Sequence, residues 1–120
     1  MKKIYVAGPY SADNIMDVLA HIRNGIETGA ALIRKGYAVF CPFLDFLYAL
    51  SWLGPSLTKQ DYQYNSLAWV DVCDVVFVLE GWEYSPGTMR EIARAQELNI
   101  PVVFDDSELN NLLKGETTCS

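Results

Sequence analysis

The run Val75-Val76-Phe77-Val78-Leu79 contains no polar side chain, and three of its residues are β-branched. A strand that is apolar on both faces belongs in a sheet covered on both sides, the usual state of a parallel sheet with crossover helices. The rest of the chain supplies the neighbours such a strand needs. Ile4-Tyr5-Val6-Ala7 reads as a short strand stopped by Gly8-Pro9. Asp13 or Asn14 caps a following helix. Its residues Ile15, Val18, Leu19, Ile22, Ile26, Ala30 and Ile33 recur at three- and four-residue intervals and predict one buried face. Gly36 ends that helix. Tyr37 to Cys41 is a second strand, closed by Pro42. A helix is expected from about Lys59 to Val72. Ser85-Pro86 opens another, with Ser at the N-cap and Pro at the first helical position, running to about Leu98. Pro101 to Phe104 is a last strand, and Ser107 to Leu113 a last helix.

Strands alternating with helices imply an α/β fold with right-handed crossovers. The expectation is a single-domain, three-layer sandwich of the Rossmann-like or flavodoxin-like kind, with a parallel sheet of about four to five strands over residues 1–113. Residues 114–120 read as a loose polar tail. Ligands of such sheets bind beyond the carboxyl ends of the strands, near a switch in strand order. That edge holds Gly8-Pro9-Tyr10-Ser11, the loop after Cys41, and Glu80 to Gly87. The segment from Phe43 to Leu53 is densely apolar between Pro42 and Pro55. It is either a short helix capping the core or an aromatic lid or subunit contact.

Composition narrows the function classes. The 120 residues are 51% apolar, enough for a core without disulfides or metals. The formal net charge is -6 and no basic run exceeds Lys2-Lys3, so the chain is not built to bind a nucleic-acid polymer. Cys41, Cys73 and Cys119 have no metal-ligand spacing and read as reduced thiols of a cytoplasmic protein. The N-terminus reads as a strand, not a secretory segment, and no run is long enough to span a membrane.

The segment Ser85-Pro86-Gly87-Thr88-Met89-Arg90-Glu91 carries the densest chemistry. A helix start offers unpaired N–H groups and a partial positive end, suited to an anion or a polar sugar group. Gly87 permits close approach to the backbone. The bland alternative is that Glu91 merely complements the helix dipole. Tyr5 belongs to the strand that ends at the same edge of the sheet and is placed to hydrogen-bond Glu91, although a strand tyrosine is more often part of the core. Asp74 at the start of its strand reads as a turn residue.

The chain resembles the nucleoside 2-deoxyribosyltransferase-like superfamily, and most closely its 2′-deoxynucleoside 5′-phosphate N-hydrolases and small phage and bacterial relatives. The marks are Ile4-Tyr5-Val6-Ala7-Gly8-Pro9-Tyr10, Cys73-Asp74-Val75-Val76-Phe77-Val78, and Ser85 through Ala95 followed by Asn99-Ile100-Pro101-Val102. The resemblance implies that Glu91 is a nucleophile on the sugar carbon and that Tyr5 orients it. It implies that Ser85 meets a 5′-phosphate where the transferases carry an Asp. Gly8, Tyr10, Gly87 and Ser66 complete the expected substrate-binding set, with Tyr10, Phe43 or Trp82 stacking on the base. Two departures stand out. Ser66 occupies the place of an acid that helps protonate the leaving base, with Asp71, Asp61 or Asp45 as possible substitutes. The first loop lacks the hydrolases' arginine, for which Arg90 or Arg23 are the substitutes.

The expected activity is therefore hydrolysis of the N-glycosidic bond of a nucleoside 5′-monophosphate, with no metal or organic cofactor. The alternatives are deoxyribose transfer between bases and a nucleotide-binding module without catalysis. The resemblance also implies a homodimer or higher homo-oligomer.

Overall fold

The computed structural model describes residues 1–52 and 54–118. Leu53 and Cys119 lie outside the described residues. Four strands, β1 (Lys3–Ala7), β2 (Ala38–Phe40), β3 (Val75–Val78) and β4 (Val102–Val103), form one parallel sheet in the order β2-β1-β3-β4. The chain moves from β1 outward to β2, then returns past β1 to β3 and on to β4. Its direction reverses between β1 and β3, which opens a crevice beyond their carboxyl ends.

The helices are α1 (Ile15–Arg34), α2 (Lys59–Val70), α3 (Pro86–Glu97) and α4 (Asp106–Thr118), with 3-10 segments at Pro42–Leu50 and Trp82–Tyr84. Local chemistry explains their ends. Asn14 caps α1 by accepting from the Asp17 N–H at 2.9 Å. Thr58 and Asp61 form a reciprocal capping box at α2. Ser85 caps α3 with Pro86 next to it, as the sequence indicates. The α4 backbone continues helically to Thr118, past Leu113, so residues 114–118 of the expected loose tail are in that helix.

Alternation along the strands divides the core in two. Ile4, Val6, Val75 and Phe77 pack with Leu32 of α1, Phe43 and Leu109 of α4 on one face. Tyr5, Ala7, Val76 and Val78 pack with Val70 of α2 and with Ile92 and Ala95 of α3 on the other. The three-layer α/β expectation therefore holds, with four strands.

The buried face of α1 differs from the expected one. Ile22, Gly25, Gly29 and Leu32 face the protein, while Ile15, Leu19, Ile26 and Ile33 are exposed. The reason is steric. A Cβ at Gly25 would lie 2.2 Å from the Phe43 ring, and one at Gly29 3.5 Å from the Cys41 sulfur. The helix approaches the sheet edge on its two glycines, so an apolar count that ignores glycine picks the wrong stripe.

Gly25→Ala tests this packing. Alanine gains about 1 kcal/mol of helix propensity, but forcing a methyl into a filled site loses about 1–3 kcal/mol. The ring atoms at 2.2 Å belong to a buried side chain with little room to yield. A net loss of stability is expected, read as a lower melting temperature.

Candidate active site

Tyr5 has no exposed surface, so its hydroxyl needs a partner inside the protein. It donates to Glu91 Oε2. The two residues are 86 apart in sequence. β1 and α3 bring them together on the α2/α3 side of the sheet. Ser66, on α2, lies beside the same phenol and partly offsets the rise in its pKa, so the residue standing in the place of an expected acid acts on Tyr5. Phe40, the register partner of Tyr5 across the β1–β2 ladder, stacks on it with ring centroids 5.4 Å apart. Trp69 stacks on Phe40 in turn, at 5.2 Å. This aromatic row went unread in the sequence; its only signal was the shared pleat of Tyr5 and Phe40.

Burial pushes the Glu91 carboxyl up to about 7. The Tyr5 hydrogen bond and the Arg90 charge act in the opposite direction, and the Asp45 charge adds to the rise. Burial also raises Tyr5 well above its ordinary value, and the Glu91 charge adds to this. Tyr5 is therefore the donor and Glu91 the acceptor. A carboxyl that gains and loses its proton near neutral pH is suited to nucleophilic or acid–base work.

Ser85 sits at the start of α3. Its Oγ accepts from the Thr88 N–H at 3.3 Å and from the Thr88 hydroxyl at 2.8 Å. Both acceptor positions are engaged within the helix start, so the serine proton is what remains to offer a ligand. Pro86 has no N–H and that of Thr88 goes to Ser85, so the Gly87 N–H is the first-turn donor left without an acceptor inside the helix. A Cβ at Gly87 would meet only the Arg90 guanidinium, at 3.8 Å. Arg90 thus lies over the helix start, whereas no contact brings Arg23 to the site.

The other expected residues divide. Tyr10 is partly exposed, and its hydroxyl lies within electrostatic reach of Tyr62 and Asp45. A Cβ at Gly8 would lie 2.8 Å from Leu79 Cβ, so strand-end packing alone requires glycine there. Phe43 is buried against Gly25 and belongs to the core, so it is not a surface on which a base can stack. Trp82 packs in a tilted arrangement against Phe104, 5.5 Å away, at a separate cavity of about 310 Å³.

Among the acids offered in place of Ser66, two are committed elsewhere. The Asp61 carboxylate closes the α2 capping box. Asp71 is held by Arg94 at 2.7 and 2.9 Å, and that hydrogen bond keeps its carboxyl below the usual range. Asp74 binds the Lys3 N–H at the opposite end of the sheet. Among the described residues, no cluster of three or more His, Cys, Asp or Glu is arranged to hold a metal. No described helix is long and apolar enough to cross a membrane. Cys41 and Cys73 are free thiols.

Residues 2–104 match the model of a family described as Domain of unknown function (DUF4406). The chain belongs to this family. DUF4406 falls in the nucleoside 2-deoxyribosyltransferase-like group. The DUF4406 match takes in all four strands together with Tyr5, Ser66, Ser85 and Glu91, and ends before α4. No curated protein matches the chain in sequence.

The raised Glu91 carboxyl links stability to pH. Its folded value, about 7, exceeds the ordinary 4.5. Its contribution to stability is thus fully present below about pH 4.5 and lost as pH rises through about 7. Glu91→Gln has no such loss. The variant should be more stable than the parent at pH 8 by about 1–3 kcal/mol, allowing for partial exposure of the group. The two should converge at pH 4.5. Melting curves at both pH values check this, and parallel pH dependence in the two proteins would show that Glu91 is not held neutral.

Proposed function

We propose that the protein hydrolyses the N-glycosidic bond of a nucleoside 5′-monophosphate, with Glu91 as the nucleophile. The observation that carries this reading is the buried Tyr5–Glu91 pair at the carboxyl edge of β1. A carboxylate is a competent nucleophile at an anomeric carbon, because the transition state has oxocarbenium character. Glu91 attacks C1′ opposite the base while the Tyr5 hydroxyl steers its second oxygen. The base departs with the electron pair of the broken C–N bond and is protonated. Water then opens the glycosyl-enzyme and releases the sugar phosphate.

The start of α3 supports a phosphate-bearing substrate. Ser85 has its proton to give, the Gly87 N–H finds no acceptor inside the helix, and Arg90 lies over Gly87. All three favour an anion. An Asp at position 85 would repel one. The kinship with nucleoside 2-deoxyribosyltransferases supports the sugar chemistry, and the motif likeness to nucleotide N-hydrolases supports water as the acceptor. The exposed apolar row Ile15, Leu19, Ile26 and Ile33 offers a surface for the homo-oligomer that the resemblance implies.

The test is release of free base from deoxynucleotides, ribonucleotides and nucleosides, with and without an added acceptor base. Release from monophosphates without acceptor is the expected result. Release only from nucleosides with acceptor would make the enzyme a transferase. Release from nothing would leave a binding module. Glu91→Gln should lower turnover by ~10³-fold or more. Tyr5→Phe removes one hydrogen bond to a charged group and should lower it by about 10- to 100-fold.

A further inference from the structure

We propose that Asp45, on the 3-10 segment after β2, is the acid that protonates the departing base. The inference rests on the glycosidase reading of Glu91 and adds the second half of the reaction to it.

The observations come from packing and partners. Asp45 is half-buried and lines a cavity of about 460 Å³ beside β2. The other walls include Phe40, Leu44, Leu47 and Tyr48, so Asp45 is the one acidic group on a surface otherwise largely apolar and aromatic. A flat, weakly polar ring with nitrogen atoms at its edge fits such walls, and a single polar group fixes its orientation. The cavity is joined to the nucleophile through Phe40, which lines it and stacks on Tyr5.

Among the described residues, Asp45 accepts no hydrogen bond and pairs with no cation. A carboxyl withdrawn from water without a donor favours a proton or a ligand that brings one. Burial accordingly raises the Asp45 carboxyl. Its charge reaches Glu91 on α3, Tyr5 on β1, Tyr10 in the first loop and Cys41 before its own segment. Arg90 is the cation that acts on the Glu91 side of this group. No other acid offered by the sequence combines a free carboxyl with this placement. Asp61 and Asp71 are both held by partners of their own.

The two carboxyl groups repel one another when both are ionised, so a proton on one favours the charge on the other. A base nitrogen against Asp45 draws that proton to Asp45, and an electron-poor C1′ favours the carboxylate on Glu91. The step then balances. A Glu91 oxygen forms a bond to C1′ as the C1′–N bond breaks, its electron pair moves to the base, and the Asp45 proton joins that base. Asp45 is left as a carboxylate. It takes a proton from the water that attacks C1′ and frees Glu91, which restores the starting state.

The test uses leaving groups that differ in their need for a proton. 2′-Deoxyguanosine 5′-monophosphate is compared with its N7-methyl derivative, whose cationic base leaves unprotonated. 2′-Deoxyuridine 5′-monophosphate is compared with its 5-fluoro derivative, whose base is the better leaving group. Asp45→Asn should lose ~100-fold or more on the unmodified purine nucleotide, the range of general acid catalysis. In single-turnover base release, which reads the first step before water attacks, it should lose about threefold or less on the methylated one. On the pyrimidine pair the loss should be smaller for the fluorinated member. Asp45→Glu keeps the acid and should recover part of the lost rate, while Glu91→Gln should be inactive on every substrate. Loss by one common factor on both members of a pair, in Asp45→Asn and Asp45→Glu alike, overturns the proposal, as does no loss at all. A wild-type protein that releases base from none of the four overturns the glycosidase reading, and this inference with it.

Discussion

A phenol with no exposed surface in the middle of a sheet must be hydrogen-bonded by the protein, and here the acceptor is a carboxylate that is itself drawn from water. The surrounding arrangement follows from this pair. β1 must end where α3 begins its second turn, which places the helix start beside the crevice between β1 and β3. Ser66 must approach from α2 to act on the phenol. Phe40 must share the pleat of Tyr5 to cover it. The capped helix ends, the parallel register and the aromatic row all keep one hydrogen bond away from bulk water. They also hold a carboxyl in a setting that resists its ionisation.

Much of the fold is legible in the sequence because its signals are local. The unbroken Val75–Leu79 run, Asn14 at a cap and Ser85-Pro86 at a helix start each act through their nearest neighbours. Tyr5 and Glu91 were also legible, since the end of one's strand and the start of the other's helix fall at the same edge of the sheet. What stayed hidden depends on contacts between distant segments. The inward face of α1 is drawn by Gly25 and Gly29, which have no side chain to register as apolar. Phe43 looked like a candidate for stacking on a ligand, but it fills the space that those glycines leave.

The choice among acids shows the same limit. Asp45, Asp61 and Asp71 are equivalent as letters. A cap consumes one and an arginine another. Those partners are set by an N-terminal turn and by the contact of α2 with α3, and only the folded chain separates them from Asp45. Ser66 shows the converse. It occupies a position where an acid was expected, and on a half-buried turn of α2 its hydroxyl acts on Tyr5.

Phe43 ties the 3-10 segment to the α1 side of the core, while Glu91 rides on a helix rooted in the opposite side. The wall of the larger cavity and the nucleophile are therefore mounted on separate parts of the chain, and they meet across the edge of β2. Changes at Leu44, Leu47 and Tyr48 reshape that wall while Phe43 stays fixed in the core. A family built on this plan can diversify what it recognises at these exposed positions, while the rest of the architecture is inherited intact.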